Sequence, residues 1–209
     1  MKSLASFLAF ASIAVFPLAA QPRFTGFVGA GPAVPLNPIG SRLDTGWNVS
    51  AGAGVTGKYA GINLDFMYND YGINQNALNQ VQAPDGHARV WAFTLDPVFH
   101  LNAREDARAD FYITGGGGIY HRTVEFTQPA IATVTVFDPW WGVFYPANIL
   151  TNQIIGSYGV YKGGVDGGAG VSIRLGSSRA KLFGEARFHH MFTRGVDTNL
   201  LPVTIGLRW

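Results

Sequence analysis

The chain has 209 residues, with 15 basic against 13 acidic side chains and only 13% charged residues, so it carries no basic stripe of the kind a nucleic-acid partner needs. It has no cysteine, which excludes disulfides, zinc–thiolate sites and anchoring through a lipidated cysteine. Glycine (27) and aromatic residues (15 Phe, 8 Tyr, 5 Trp) are abundant instead, as suits Gly-rich strands with aromatic belts.

Residues 1–20 read as an export signal. Lys2 supplies positive charge, residues 4–16 are apolar or small, and Pro17, Leu18, Ala19 and Ala20 offer a cleavage point before Gln21. The apolar stretch is shorter than the roughly 20 residues that span a bilayer. Residues 21–209 are then expected to form one domain.

Period-two alternation broken by turn chemistry predicts eight strands. In the first, 23–35, Phe24, Val28, Ala30 and Val34 oppose Thr25, Phe27, Gly29 and Gly31. The second, 47–59, is the cleanest, with Trp47, Val49, Ala51, Ala53 and Val55 against Asn48, Ser50, Gly52, Gly54 and Thr56. The third, 61–73, sets Ile62, Leu64, Phe66 and Tyr68 against Asn63, Asp65, Met67 and Asn69. In the fourth, 87–101, Trp91, Phe93, Leu95 and Phe99 oppose Ala92, Thr94, Asp96 and His100, and Pro97 predicts a bulge or a strand end. The fifth, 110–125, begins with Phe111 and Ile113 against Tyr112 and Thr114, then loses its period through Gly115 to Gly118.

The sixth, 162–175, opposes Val165, Ala169, Val171, Ile173 and Leu175 to Asp166, Gly168, Gly170, Ser172 and Arg174. In the seventh, 180–192, Leu182, Ala186 and Phe188 oppose Glu185, Arg187 and His189. The eighth, 201–209, sets Leu201, Val203, Ile205, Leu207 and Trp209 against Pro202, Thr204, Gly206 and Arg208. Connections at 57–61, 102–109 and 176–180 are short and polar, whereas those at 36–46, 72–86, 127–160 and 193–199 are mostly longer. Short turns on one side and long loops on the other, with both termini on the short-turn side, is the outer-membrane pattern.

The longest uncharged run, 139–161, contains Pro146, Asn148, Thr151, Asn152, Gln153 and four aromatics near its start, which argues against a helix. Only helices and closed barrels satisfy every backbone group in lipid. A membrane reading is therefore a barrel reading: all-β, an eight-stranded antiparallel up-and-down transmembrane β-barrel.

Alternation does not by itself say which face is wet, since a soluble barrel of lipocalin type also alternates. Eight strands enclose an interior just wide enough for side chains, and glycine concentrates on the polar face at Gly29, Gly31, Gly52, Gly54, Gly168, Gly170 and Gly206. Small residues belong on the crowded concave side, so the charges are expected inside and the bulky apolar residues against lipid. The lumen then holds Asp65, Asp96, Asp166 and Glu185 against Arg174, Arg187 and Arg208, with Arg122 near the rim. Such a set predicts paired charges rather than a single-sign pore, because unpaired buried charges are too costly to keep. Pairing Phe192 with Leu201 would put Glu185 opposite Arg208 and His189 opposite Thr204.

The export signal, the strand pattern and the terminal Leu207, Arg208 and Trp209 resemble the small bacterial outer-membrane β-barrels of the outer-membrane protein A and opacity-protein type. The resemblance spans residues 21–209. It implies export through the periplasm to the outer membrane of a Gram-negative-type bacterium, contact with outer-membrane lipid and lipopolysaccharide, and a last strand whose terminal Trp209 is read by the barrel-assembly machinery. It further implies a monomer with a structural, adhesive or surface-contact role, or else a narrow pore for small solutes.

An envelope enzyme is the remaining alternative, since lipid A deacylases and palmitoyltransferases use similarly small barrels. A hydrolase needs a hydroxyl beside an oriented histidine, and none of His87, His100, His121, His189 and His190 has a serine within two positions. No catalytic residue and no cofactor is expected. His121, His189 and His190 could approach one another around a metal, but His189 in the lumenal polar set and His190 at headgroup level is the favoured reading, with no metal. The third long loop, with Trp140, Trp141, Phe144 and Tyr145, is the candidate extracellular contact for a partner or glycan. The blander expectation there is that 133–137 and 153–161 prolong strands five and six while Trp140 and Trp141 cover the barrel mouth or rest in lipopolysaccharide.

Overall fold

The computed structural model describes residues 23–102, 108–176, 178–193, 195 and 197–209; the expected export signal lies outside them. Eight strands follow in chain order: β1 (Arg23–Leu36), β2 (Gly46–Thr56), β3 (Ala60–Gly72), β4 (Asp85–His100), β5 (Ala109–Asp138), β6 (Val143–Arg174), β7 (Lys181–Met191) and β8 (Thr198–Arg208). Each pairs antiparallel with its neighbours and β8 returns to β1, closing the barrel. The chain is an eight-stranded antiparallel up-and-down β-barrel of the transmembrane type. Strands β2, β7 and β8 are eleven residues each, the length a tilted strand needs to cross a bilayer.

Side chains divide as the alternation predicts. Phe24, Val49, Leu64, Phe93, Leu95, Ile113, Ile205 and Leu207 are exposed on the outer surface, while Asn48, Asp65, Asp96, Tyr112, Arg187, Thr204 and Arg208 are buried inside. Exposed large apolar side chains around the whole barrel are the inverse of a soluble lipocalin-type surface, and they suit hydrocarbon. Aromatic contacts mark the outer girdle: Trp47 with Tyr68 at 5.5 Å and Trp91 with Tyr161 at 5.7 Å between ring centroids.

Closure at the β1–β8 seam depends on glycine. Gly29 pairs with Gly206, and a Cβ on Gly206 would collide with the carbonyl oxygen of Val28 and with Gly29. Asn48 bridges the seam from inside, donating to the carbonyls of Pro32 at 2.9 Å and Val203 at 3.3 Å and accepting from the Thr204 hydroxyl at 2.8 Å.

The outer end of the lumen is filled by apolar side chains. Leu43 and Ile73 pair through an isolated bridge between the first loop and the end of β3. A short helix, α1 (Gln75–Val81), stands where the sequence predicts only loop; Asn74 caps it by accepting from the Ala77 N–H, and Gln82 ends it in the left-handed region. It buries Leu78 in a cluster with Tyr71, Val90, Met191 and Leu200, a burial that contributes about 1.5–3 kcal/mol for the leucine alone.

Two expectations are corrected, and the third long loop proves to be prolonged strand. Pro97 neither ends β4 nor shifts its register: the strand runs on to His100, and pairing with β5 resumes at Val98–Thr114 on the register set by Leu95–Gly117. The missing N–H is tolerated because only the ladder locally loosens, and the Pro97 carbonyl accepts from the Thr114 hydroxyl at 3.1 Å. The last hairpin pairs Met191 with Thr198, so Glu185 faces Thr204, His189 faces Leu200 and Arg208 faces Lys181. The four-residue difference arises because pairing begins three residues earlier on β8, at Thr198 rather than Leu201, and one residue earlier on β7, at Met191 rather than Phe192; an even shift leaves every side chain on its face. The expected third long loop is a hairpin of 30- and 32-residue strands closed by a tight turn at 139–142, with a bulge at Phe126 and Thr127.

Candidate functional site: a filled lumen and an extracellular arm

Inward-facing positions of four strands meet at Arg187 on β7. Its Nη1 lies 2.6 Å from Asp96 Oδ2, 2.9 Å from Asp65 Oδ2 and 3.7 Å from Asp166 Oδ1, and its Nη2 lies 2.7 Å from Glu185 Oε1. One guanidinium thus gathers acids from β3, β4, β6 and β7, using the planar fork that lysine lacks. All of these side chains are buried or nearly so.

A second cation, Arg208, sits in an aromatic cage. Its guanidinium carbon is 4.4 Å from the Tyr112 ring centroid, 5.1 Å from Phe183 and 5.4 Å from Phe27. Its Nη2 donates to the Tyr112 hydroxyl at 3.2 Å and lies 3.8 Å from Glu185 Oε2. The Arg208–Glu185 proximity expected from the wrong register is therefore reached by side-chain length, not by facing backbone positions.

Four carboxylates share two guanidiniums, so neutral donors complete the set. Thr94 donates to Asp96 at 2.7 Å, Tyr112 to Glu185 at 2.8 Å and Tyr120 to Asp166 at 3.4 Å. Arg122 lies higher in the lumen and donates to the Thr198 hydroxyl at 3.0 Å. Arg174 is at the periplasmic end, exposed, its backbone level with Lys181; it does not join the central cluster as expected. The void beside Arg187, lined among others by Phe27, Asp65, Met67 and His189, measures about 20 Å³, the scale of a single water molecule.

The histidines do not converge. His189 points inward and its Nδ1 is 2.9 Å from the Tyr120 hydroxyl, whereas His190 points outward, 2.7 Å from Asn199 Oδ1. His121 stacks outside against Tyr161, 4.2 Å between centroids. Among the described residues no group of three His, Asp or Glu side chains is arranged to hold a metal ion.

Two clusters lie outside the sequence-based expectation. At the periplasmic mouth, Thr56 Oγ1 is 2.9 Å from His100 Nε2, and His100 Nδ1 is 2.7 Å from Asp110. The order resembles a hydrolase triad, but the same hydroxyl is 3.3 Å from the Gly57 carbonyl, and the three side chains tie the ends of β2, β4 and β5. On the outer face above the girdle, Arg89 bridges Glu125 at 2.9 Å and Asp70 at 3.4 Å, with His87 3.2 Å from Asp70. The signal was present in sequence as charge on outward positions just past the apolar run of β3 and β4.

Beyond the bulge, residues 127–155 leave the barrel wall as a two-stranded arm. Its twelve residues from Thr127 to Asp138 span about 40 Å at strand rise. Trp140 and Trp141 stand at the tip, 89% and 77% exposed, with Phe144 and Tyr145 beside them. They do not cover the barrel mouth, which is closed by α1 and the apolar cluster beneath it. The prolongation of both strands agrees with the blander sequence reading.

No family model matches this sequence, and no curated protein matches it. Among solved structures the fold is similar to Neisserial surface protein A, with a TM-score of 0.56 at 12% identity over 90% of this chain and 97% of that one. A major outer membrane protein from Thermus thermophilus is similar too, with a TM-score of 0.57 at 10% identity over 90% and 98%. At these identities the likeness is one of fold.

Proposed function

We propose that this chain is an integral outer-membrane β-barrel, exported through the periplasm, whose lumen is shut by its own side chains and whose activity resides in the extracellular arm: a structural and adhesive surface protein. The outward apolar surface suits lipid, with Arg89, His87 and the aromatic girdle at the headgroup level where lipopolysaccharide begins. The observation that carries the adhesive reading is the arm, an uncommonly long hairpin that ends on exposed aromatics while the barrel below it is filled. Exposed tryptophan and tyrosine supply a large part of the energy at contact surfaces.

The test is removal of the arm. Gln128 pairs with Gln153, so replacing 129–152 by Asn-Gly gives a two-residue hairpin of the favoured kind. The shortened protein is expected to fold and to keep heat-modifiable migration, while cells displaying it lose attachment to one another and to cultured epithelial monolayers. Unchanged attachment would overturn the adhesive reading, and single-channel steps from the intact protein in planar bilayers would replace it with the narrow pore.

A further inference from the structure

Residues 127–161 contain one charged side chain, Asp138, and its carboxylate is engaged by the turn. Asp138 Oδ1 accepts from the N–H groups of Trp140 at 2.8 Å and Trp141 at 3.3 Å, and the Gly142 N–H donates to the Asp138 carbonyl at 2.8 Å. Around this internally bonded turn stand Phe137, Trp140, Trp141, Val143 and Phe144, all exposed, with the Phe137 and Phe144 rings 5.0 Å apart. An apolar tip whose backbone donors are already bonded is what entry into lipid demands, since an unmet N–H there costs several kcal/mol. Gly142 takes φ 65°, which lets the turn close without a side chain in the left-handed region.

From the uncharged arm and the internally bonded aromatic tip, we infer that residues 137–145 insert into the interfacial layer of an apposed lipid bilayer. This rests on the arm being the contact element, as proposed above, and names what it contacts. Trp and Phe favour the membrane interface. The absence of any Lys or Arg on the arm fits a neutral lipid surface rather than an acidic one, and insertion there is independent of salt. Edge pairing with a second copy is less well served, because Pro129 interrupts one strand of the arm and Pro146 the other.

The experiment uses the full barrel in nanodiscs, mixed with vesicles of phosphatidylcholine alone or of phosphatidylcholine with phosphatidylserine. Because the chain has no cysteine, an environment-sensitive dye can be placed singly at Pro139→Cys, an exposed turn position that leaves both tryptophans in place, with Thr133→Cys as the mid-arm control. Phosphatidylcholine vesicles are expected to co-float with the protein and to blue-shift the tip dye but not the control, at high salt as at low, with no gain when phosphatidylserine is included. Trp140→Ser and Trp141→Ser should each weaken capture about tenfold; heat-modifiable migration verifies that both variants are folded. Capture unaffected by these variants overturns the inference, as does a tip dye already in apolar surroundings before vesicles are added, which would put the tip in its own bilayer. If attachment of cells depends on Trp140 and Trp141 yet no vesicle is captured, the tip binds a protein or glycan, so the inference fails and the adhesive function stands. If attachment survives loss of the whole arm, the adhesive function fails instead.

Discussion

Arg187 and Asp96 lie 2.6 Å apart at the centre of the barrel, on strands β7 and β4 that share no edge in the closed order. The contact crosses the lumen, so it reports closure of the whole barrel and not of one hairpin. Removing one partner of a buried ionic set leaves the others uncompensated, at roughly 3–5 kcal/mol, and Arg187 serves four acids. Arg187→Met is expected to lower the free energy of unfolding in urea, read as loss of heat-modifiable migration, by an amount in that range or beyond. Arg187→Lys should recover only part of it, because an ammonium cannot present Nη1 and Nη2 to different carboxylates at once. Full recovery by lysine would mean that net charge, not fork geometry, holds the centre.

Arg208 differs in that its partners are mostly rings. Tyr112, Phe183 and Phe27 surround the guanidinium, and Glu185 is only 3.8 Å away at closest. A stacked guanidinium in a desolvated cage contributes about 1–2 kcal/mol beyond its charge. Arg208→Lys is therefore expected to cost about that much in the same unfolding assay, and Tyr112→Leu should remove most of the difference between arginine and lysine, since the closest ring and its hydroxyl both go. Independent, additive effects of the two substitutions would refute the cage as a unit.

The seam offers a sharper contrast between two glycines. A methyl on Gly206 would meet the Val28 carbonyl and the backbone of Gly29, whereas one on Gly184 would meet nothing within 4 Å. Both sit in strands, so the conformational gain from replacing glycine is similar. Gly184→Ala is expected to be neutral or slightly stabilising, and Gly206→Ala to destabilise by about 1–3 kcal/mol, as overpacking does. Equal midpoints for the two variants would show that the β1–β8 contact can open to admit a methyl.

These residues also mark where sequence ceased to be readable. Period-two alternation assigned faces correctly in β2 and β8 because a strand has no other way to present side chains. Facing was thus legible for Asp65, Asp96, Glu185, Arg187 and Arg208. Stagger was not: a shift of four residues preserves every face, so alternation carries no information on whether Arg208 stands opposite Glu185 or, as it does, opposite Lys181. Tyr120 was invisible for a different reason, since Gly115 to Gly118 erase the period just before it. Those glycines are needed where the walls approach closely; a Cβ on Gly118 would strike the Phe93 carbonyl. The length of the arm was obscured by Pro129 and Pro146, which read as loop residues yet sit within paired strands.

Substitution of Trp209 offers a test that distinguishes a role in assembly from one in stability. Its backbone exchanges both hydrogen bonds with Gly26, each at 3.0 Å, and the indole lies across that glycine, while 58% of the residue remains exposed on the lipid side. The backbone pair survives loss of the side chain, so Trp209→Ser should change the unfolding free energy of the refolded barrel by only about 1 kcal/mol, the value of a half-buried aromatic at an interface. If the terminal aromatic is the mark by which assembly proceeds, the same variant should reach the outer membrane of expressing cells in much lower amount, with Trp209→Phe restoring it. The two readouts must diverge for this to hold: a fall in cellular yield matched by an equal loss of stability in the refolded protein would make Trp209 a packing residue and nothing more.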